Sequence, residues 1–291
     1  MSAEAGEWGV DSEYGRLQDV LLGPPQNYRW LPTSAISRAT IDSGAAFDSA
    51  AAKAQHAEMV SIYEDAGVRC HYLDPDPALP YQVFARDSST MTPNGSVVTQ
   101  MHQWWRRGEY AAVIEFLRGA EVPVRGMITA GALEGGDVVI VEPGVMLIGT
   151  GEERTQHIAA SQLATWMRED GWEVRVEPIP PRYVHIDVVC AVLAPKLASV
   201  CIDVASVSLV KWLRDKGFEL IEFTADHAFS LGGNAISLGD ERVLSSSGAA
   251  ELNDAIRAHG ITVHDPDLSM FTRGGGGAHC LAQPLRRERM G

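Results

Sequence analysis

The chain has 291 residues, 45% apolar and 21% charged, with 24 basic against 38 acidic side chains and a net charge of −14. This is the composition of a globular protein with enough chain to bury a large core without disulfide staples. Its negative balance argues against nucleic acid or an anionic membrane surface as the main partner.

The opening segment MSAEAGEWGVDSEYG has neither a basic n-region nor an apolar h-region, so no secretory leader is expected. No apolar run approaches the roughly 20 residues of a membrane span. Cys70, Cys190, Cys201 and Cys280 lie far apart without a Cys-x-x-Cys pair. Reduced cytoplasmic thiols are therefore expected, not a disulfide scaffold or a zinc ribbon. Tyr28–Phe47 shows no clear periodicity and reads as a loop, either a lid or a plain surface connection.

From there on a pattern repeats. Helical stretches end at Gly67, Gly119, Gly171, Gly217 and Gly260, spaced by 52, 52, 46 and 43 residues, and each passes into a strand-like run. Glycine suits the left-handed position that closes a helix. Between them, Arg154–Glu169 and Val207–Lys216 place their apolar residues along one side, as amphipathic helices do. A second series consists of β-hairpins, each opened by a polar residue, with turns at Pro93-Asn94-Gly95, Pro143-Gly144, Ala194-Pro195 and Gly239-Asp240. The polar openers Asp87, Asp137, Asp187 and Asn234, with Cys280 as a fifth, are separated by 50, 50, 47 and 46 residues.

The repeating unit is thus hairpin, helix, glycine, strand. One such unit cannot bury its apolar face alone, and a closed ring of five would solve that. We expect one α/β domain over residues 1–291, with the hairpin starts facing a shared axis. An ordinary α/β fold with coincident spacings is the alternative.

In such a ring Asp87, Glu134, Asp137, His185, Asp187 and Cys280 become neighbours. A thiol, an imidazole and several carboxylates in one cleft suit nucleophilic catalysis on a cationic carbon centre. Cys280 follows Gly274–Gly277, a run that lets backbone approach a ligand closely. His185 and Asp187, two apart on a strand, would face one side, and His279 would point away from Cys280. Taken singly, each could be bland: a buried small hydrophobe, a structural histidine, a surface ion pair or turn residues. The other histidines show no metal-ligand spacing, so no metal is expected.

The motifs FARD (Phe84–Asp87), LEGGD (Leu133–Asp137), HID (His185–Asp187) and GGGGAHCLAQPLRR (Gly274–Arg287) resemble the guanidino-group-modifying enzymes. These include arginine deiminases, dimethylarginine dimethylaminohydrolases, agmatine deiminases and amidinotransferases. The resemblance implies a five-bladed pseudo-symmetric α/β propeller (pentein-like). It implies Cys280 as nucleophile, His185 as general acid and base, and Glu134 as the carboxylate that orients it. Asp87 and Asp187 would clamp the guanidinium, and Arg106 (Arg107 as fallback) with Arg154 would meet a substrate carboxylate.

The implied activity is hydrolysis of a C–N bond in a small cationic guanidino substrate, of arginine or methylated-arginine type. It would give a ureido product such as citrulline through a covalent Cys-amidino intermediate, without a redox cofactor or metal. An acid at Asp187 tilts toward unsubstituted guanidines, whereas the short chain, without the helical insertion of arginine deiminases, tilts toward the compact hydrolases. An amidinotransferase and a catalytically silent propeller used for binding are the alternatives. A homo-oligomer stays open.

Overall fold

The computed structural model describes residues 8–291. Its strands, in chain order, are β1 (Leu17–Leu22), β2 (Arg69–Tyr72), β3 (Ser89–Thr92), β4 (Gly95–Val98), β5 (Val124–Met127), β6 (Val138–Glu142), β7 (Val145–Thr150), β8 (Glu173–Pro178), β9 (Cys190–Ala194), β10 (Leu197–Cys201), β11 (Glu219–Phe223), β12 (Ile236–Gly239), β13 (Arg242–Leu244), β14 (Thr262–His264) and β15 (Ala282–Arg287). They pair into five three-stranded sheets. The helices are α1 (Ala35–Asp42), α2 (Ser49–Asp65), α3 (Glu109–Gly119), α4 (His157–Glu169), α5 (Val207–Asp215), α6 (Ala225–Phe229), α7 (Ala250–Ala258) and α8 (Ser269–Thr272).

Four sheets are continuous in sequence and share one plan. An antiparallel hairpin is followed by a helix (α3, α4, α5 or α7), which returns the chain as a third strand parallel to the second. The fifth sheet is built from both ends of the chain. β15 pairs antiparallel with β1, from Leu17 opposite Arg287 to Leu22 opposite Ala282, and β2 returns parallel to β1 after α2. Neighbouring sheets touch through β15 and β3, β6 and β9, β9 and β12, and β12 and β1, and the turns before β3 and β6 meet one another. The five-module ring therefore closes on itself, and the first and last strands supply the closure. The inner hairpin strands are buried on both faces, as at Val138–Val141 and Cys190–Leu193. This is why the sequence shows continuous apolar runs there instead of alternation.

The helix-ending glycines hold with one exception. Gly67, Gly171, Gly217 and Gly260 have φ of +80°, +86°, +81° and +80°. Gly119 is instead the last residue of α3, and the left-handed position falls on Glu121 at φ +53°. In that module the left-handed position comes two residues after the glycine. The helix expected over Arg154–Glu169 starts three residues later than Arg154: α4 begins at His157, and Arg154 lies in the preceding turn, from which it reaches inward. Residues 28–47 are not a loop throughout. They contain α1, opened by a capping box in which Ser34 and Ser37 exchange side-chain and backbone hydrogen bonds. Serine in place of glutamate at the third helical position hid that signal. No helix among the described residues is long and apolar enough to cross a membrane.

Candidate active site

Short turns before the first hairpin strands set the site. Asp87, Asp137 and Asp187 each sit in a one-turn 3-10 helix, Ala85–Ser88, Gly135–Asp137 and Ile186–Val188. A belt of hydrogen bonds links these turns around the ring. The Arg86 amide donates to the Cys280 carbonyl at 3.2 Å, and the Arg86 Nε donates to the Gly135 carbonyl at 3.3 Å. The Ile186 amide donates to Asp137 Oδ1 at 2.8 Å, and Asn234 Nδ2 donates to the Asp187 carbonyl at 3.4 Å. Asn234 Oδ1 accepts the amides of His279 and Cys280 at 3.1 and 3.2 Å. Asn234 thereby holds the backbone that carries the thiol. Gly277 packs so closely that a Cβ there would lie 2.7 Å from that same oxygen.

Cys280, His185, Glu134, Asp87, Asp187, Arg106 and Arg154 are all buried, and contacts connect them into one cluster. His185 Nε2 lies 2.9 Å from Glu134 Oε2, and its Nδ1 lies 3.6 Å from Asp87 Oδ1. Burial works against a charged ring, but Asp87, Asp137 and Glu134 outweigh it and hold the His185 pKa well above its usual value. Glu134 also suffers burial, yet Arg154 at 3.2 Å, His185 and Arg106 keep its carboxyl far below the ordinary range. The Cys280 thiol is pushed up to about 12 by burial and by Asp187, with His185 pulling the other way. At rest the cluster therefore pairs a thiol with an imidazolium.

The two arginines are less free than a carboxylate-binding role suggests. Arg106 is 1% exposed. Its Nε and one terminal nitrogen grip Glu109 at 2.8 Å each, and the other terminal nitrogen donates to Asp87 Oδ2 at 2.8 Å. Arg154 donates to Glu134 at 3.2 Å and to the Thr33 carbonyl at 3.5 Å. Both still line the cleft, whereas Arg107 points to the carbonyls of Met101 and His102 and does not. Glu109 escaped the sequence reading, although its position three residues after Arg106 on a helical turn is the spacing of an ion pair.

His279 departs from expectation. Residues 278–281 form a turn, not a strand, so side chains do not alternate. His279 Nδ1 lies 2.8 Å from Asp187 Oδ2, and the Cys280 thiol donates to the same oxygen at 3.6 Å. The far ring nitrogen faces Glu13, which is itself paired with Arg86 at 2.9 Å. His185 and Asp187 are likewise in a turn, and they meet the thiol for that reason, not through a strand face.

The space between atoms in the cleft is about 300 Å3 with its open mouth included. Its lining includes Thr33, Ser34, Tyr81, Phe84, Val184 and Gly274–Gly276 beside the charged set. Thr33 and Ser34 bring the segment before α1 over the mouth. Asp87, Glu134 and His185 could in principle converge on one cation, their ligand atoms lying within 4.8 Å. Arg106 and Arg154 already supply two positive charges to these carboxylates, so a metal ion would sit against both guanidinium groups and does not fit.

Known proteins share the fold. The DDAH of Pseudomonas aeruginosa, in complex with citrulline, superposes with a TM-score of 0.77 at 22% identity, covering 92% of this chain and 99% of that one. The N-terminal domain of ArgZ, a cyanobacterial arginine dihydrolase, superposes with a TM-score of 0.81 at 17% identity, covering 94% and 99%. Both share the fold, a pseudo-fivefold α/β propeller. In sequence, the uncharacterized protein YkgA of Bacillus subtilis is 26% identical over 281 residues, 95% of this chain and 94% of its own. An arginine deiminase of Listeria monocytogenes is 25% identical over 265 residues, and the match spans 63% of that longer chain. The profile described as N,N dimethylarginine dimethylhydrolase, eukaryotic, matches residues 32–287, and the chain belongs to that family.

Proposed function

We propose that the protein hydrolyses a C–N bond of a small guanidino compound, of arginine or methylated-arginine type, through a covalent intermediate on Cys280. One observation carries this reading. Asp87 and Asp187 are buried carboxylates, Asp87 lying 3.6 Å from the imidazole and Asp187 3.6 Å from the thiol, and each keeps one oxygen, Oδ1, without a hydrogen-bond partner. Buried carboxylate oxygens left open are costly, and a planar cation with several N–H donors satisfies both.

The chemistry follows from the charges. A bound guanidinium offsets the negative field of Asp87 and Asp187 that holds the thiol protonated, and the thiol gives its proton to solvent. The sulfur attacks the central carbon. His185, already an imidazolium, gives its proton to the departing nitrogen as that C–N bond breaks, leaving an amidino-thioether. Glu134 keeps the ring oriented. Neutral His185 then takes a proton from water as it attacks the same carbon. The C–S bond breaks, the ureido product leaves, and the thiolate of Cys280 regains a proton from solvent while His185 keeps the one taken from water. Arg106 fixes Asp87, and Arg154 at the mouth is placed to meet an anionic tail of the substrate.

The test is an assay of arginine, methylated arginines, agmatine and simple guanidines, singly and with an acceptor amine such as glycine or ornithine. Ureido product and released amine from a single compound support the reading. A new guanidino compound formed only with the acceptor would convert it to amidino transfer. No turnover by folded protein, and no mass adduct on Cys280 after quenching, would leave a binding module.

A further inference from the structure

His279 has no place in the reaction above, yet it is 4% exposed and lies between two carboxylates. Its Nδ1 is 2.8 Å from Asp187 Oδ2, the oxygen that also accepts the Cys280 thiol, and its Nε2 is 3.5 Å from Glu13 Oε2. Glu13 is 4% exposed, and its other oxygen takes Arg86 at 2.9 Å and the Ile140 amide at 3.4 Å. Arg86 in turn donates to the carbonyls of Val138 and Gly135. A buried line therefore runs from the thiol through Asp187, His279 and Glu13 to Arg86, across the turns of three modules and the segment before β1. The charged groups in contact with His279 are Asp187 and Glu13; Arg86 and Arg287 act on Glu13, and His185, Arg86 and the Cys280 thiol act on Asp187.

We propose that His279 is a positioning residue for the hydrolytic reaction, a second buried histidine that acts through Asp187. Donation from Nδ1 fixes Asp187 by one oxygen. The other oxygen stays open for the substrate cation, and the bound one stays beside the sulfur. Glu13 and Arg86 lock the imidazole from behind. The N–H given to Asp187 offsets part of the carboxylate's negative charge, which otherwise opposes loss of the thiol proton. His185 is then the histidine that moves protons, and His279 is the one that tempers the carboxylate next to the nucleophile.

The proposal rests on the catalytic reading, so its test uses a readout that needs no substrate. Alkylation of Cys280 by iodoacetamide is followed from pH 6 to 10 in the intact protein, His279→Ala, His279→Asn and Glu13→Gln, with thermal melts alongside. Loss of that donor raises the thiol pKa by about one unit, so alkylation at a fixed pH slows about tenfold in His279→Ala. His279→Asn keeps a donor for Asp187 and recovers part of the rate, and Glu13→Gln falls between. Nitrogen-detected NMR of the unmodified protein reads the ring directly, with Nδ1 of His279 carrying the proton donated to Asp187. Alkylation of a folded His279→Ala at the unmodified rate across the range, or an Nδ1 without a proton in the NMR spectrum, overturns the proposal. Both measurements stand whatever the substrate panel returns.

Discussion

Glu134 holds three cations at once, with His185 at 2.9 Å, Arg154 at 3.2 Å and Arg106 at 3.9 Å from the same Oε2. Neutralising it as Glu134→Gln keeps the volume and removes the charge that holds the imidazole protonated and oriented. Turnover should fall by about 10²–10⁴, the range lost when a general acid loses its support, and the alkaline limb of the rate profile should move to lower pH. Steady-state rates against pH check this; an unchanged limb would detach Glu134 from His185. The thiol predicts the other limb. Because Cys280 is pushed up to about 12 in the free protein, kcat/KM should climb with pH through the neutral range as the reactive thiolate fraction grows. A flat profile from pH 6 to 8 would contradict it. These residues were legible in the sequence only as members of a ring, since none is adjacent to another. His279 was misjudged because alternation was applied to a turn, and Glu13 carried no motif at all.

At the scale of the elements, the site depends on turns with no room to spare. A Cβ on Gly136 would lie 2.5 Å from His185 Nδ1 and 3.1 Å from Asp87 Oδ1. Gly136→Ala should therefore displace the imidazole and lower kcat at least about tenfold, at a stability cost of roughly 1–3 kcal/mol; wild-type kcat in the alanine variant would show that the turn can shift. The helix ends give a second test. Glu121 adopts the left-handed conformation in which the other four modules have glycine, at a steric cost of about 1–2 kcal/mol for a residue with a Cβ. Glu121→Gly should raise the melting temperature modestly, by about 1 kcal/mol of stability or less once the greater freedom of glycine in the unfolded chain is counted. A lower melting temperature would mean that Glu121 contributes something its backbone does not reveal. The sequence misplaced this position because Gly119 satisfied the expected spacing. Periodicity locates an element to within a residue or two, and the hydrogen bonds that end a helix decide the rest.

Over the whole molecule, the period of about fifty residues was readable because every module solves the same packing problem. The closure was not, because the fifth sheet joins β1 and β15 from opposite ends of the chain, and no local pattern announces a pairing that distant. Gathering charge at the hub of this ring links stability to pH. Glu13 and Glu134 have folded pKa values far below 4.5. Their contribution is complete above pH 4.5 and is lost as pH falls through those folded values. His185 is held well above 6.5, so its contribution is complete below pH 6.5 and is lost as pH rises through the folded value. Asp137 is raised from 3.8 to about 6, by burial above all, so its contribution is complete below pH 3.8 and is lost as pH rises from there through 6. The thiol of Cys280, raised from 9.0 to about 12, adds a further loss only above pH 9. Stability should therefore peak near pH 4.5 and decline toward alkaline pH, while kcat/KM increases there. Melting temperatures at constant ionic strength from pH 4 to 9 read this directly. His185→Gln should flatten the alkaline decline, and a melting temperature still rising between pH 6 and 8 would show that the buried charges at the hub are not those that govern the fold.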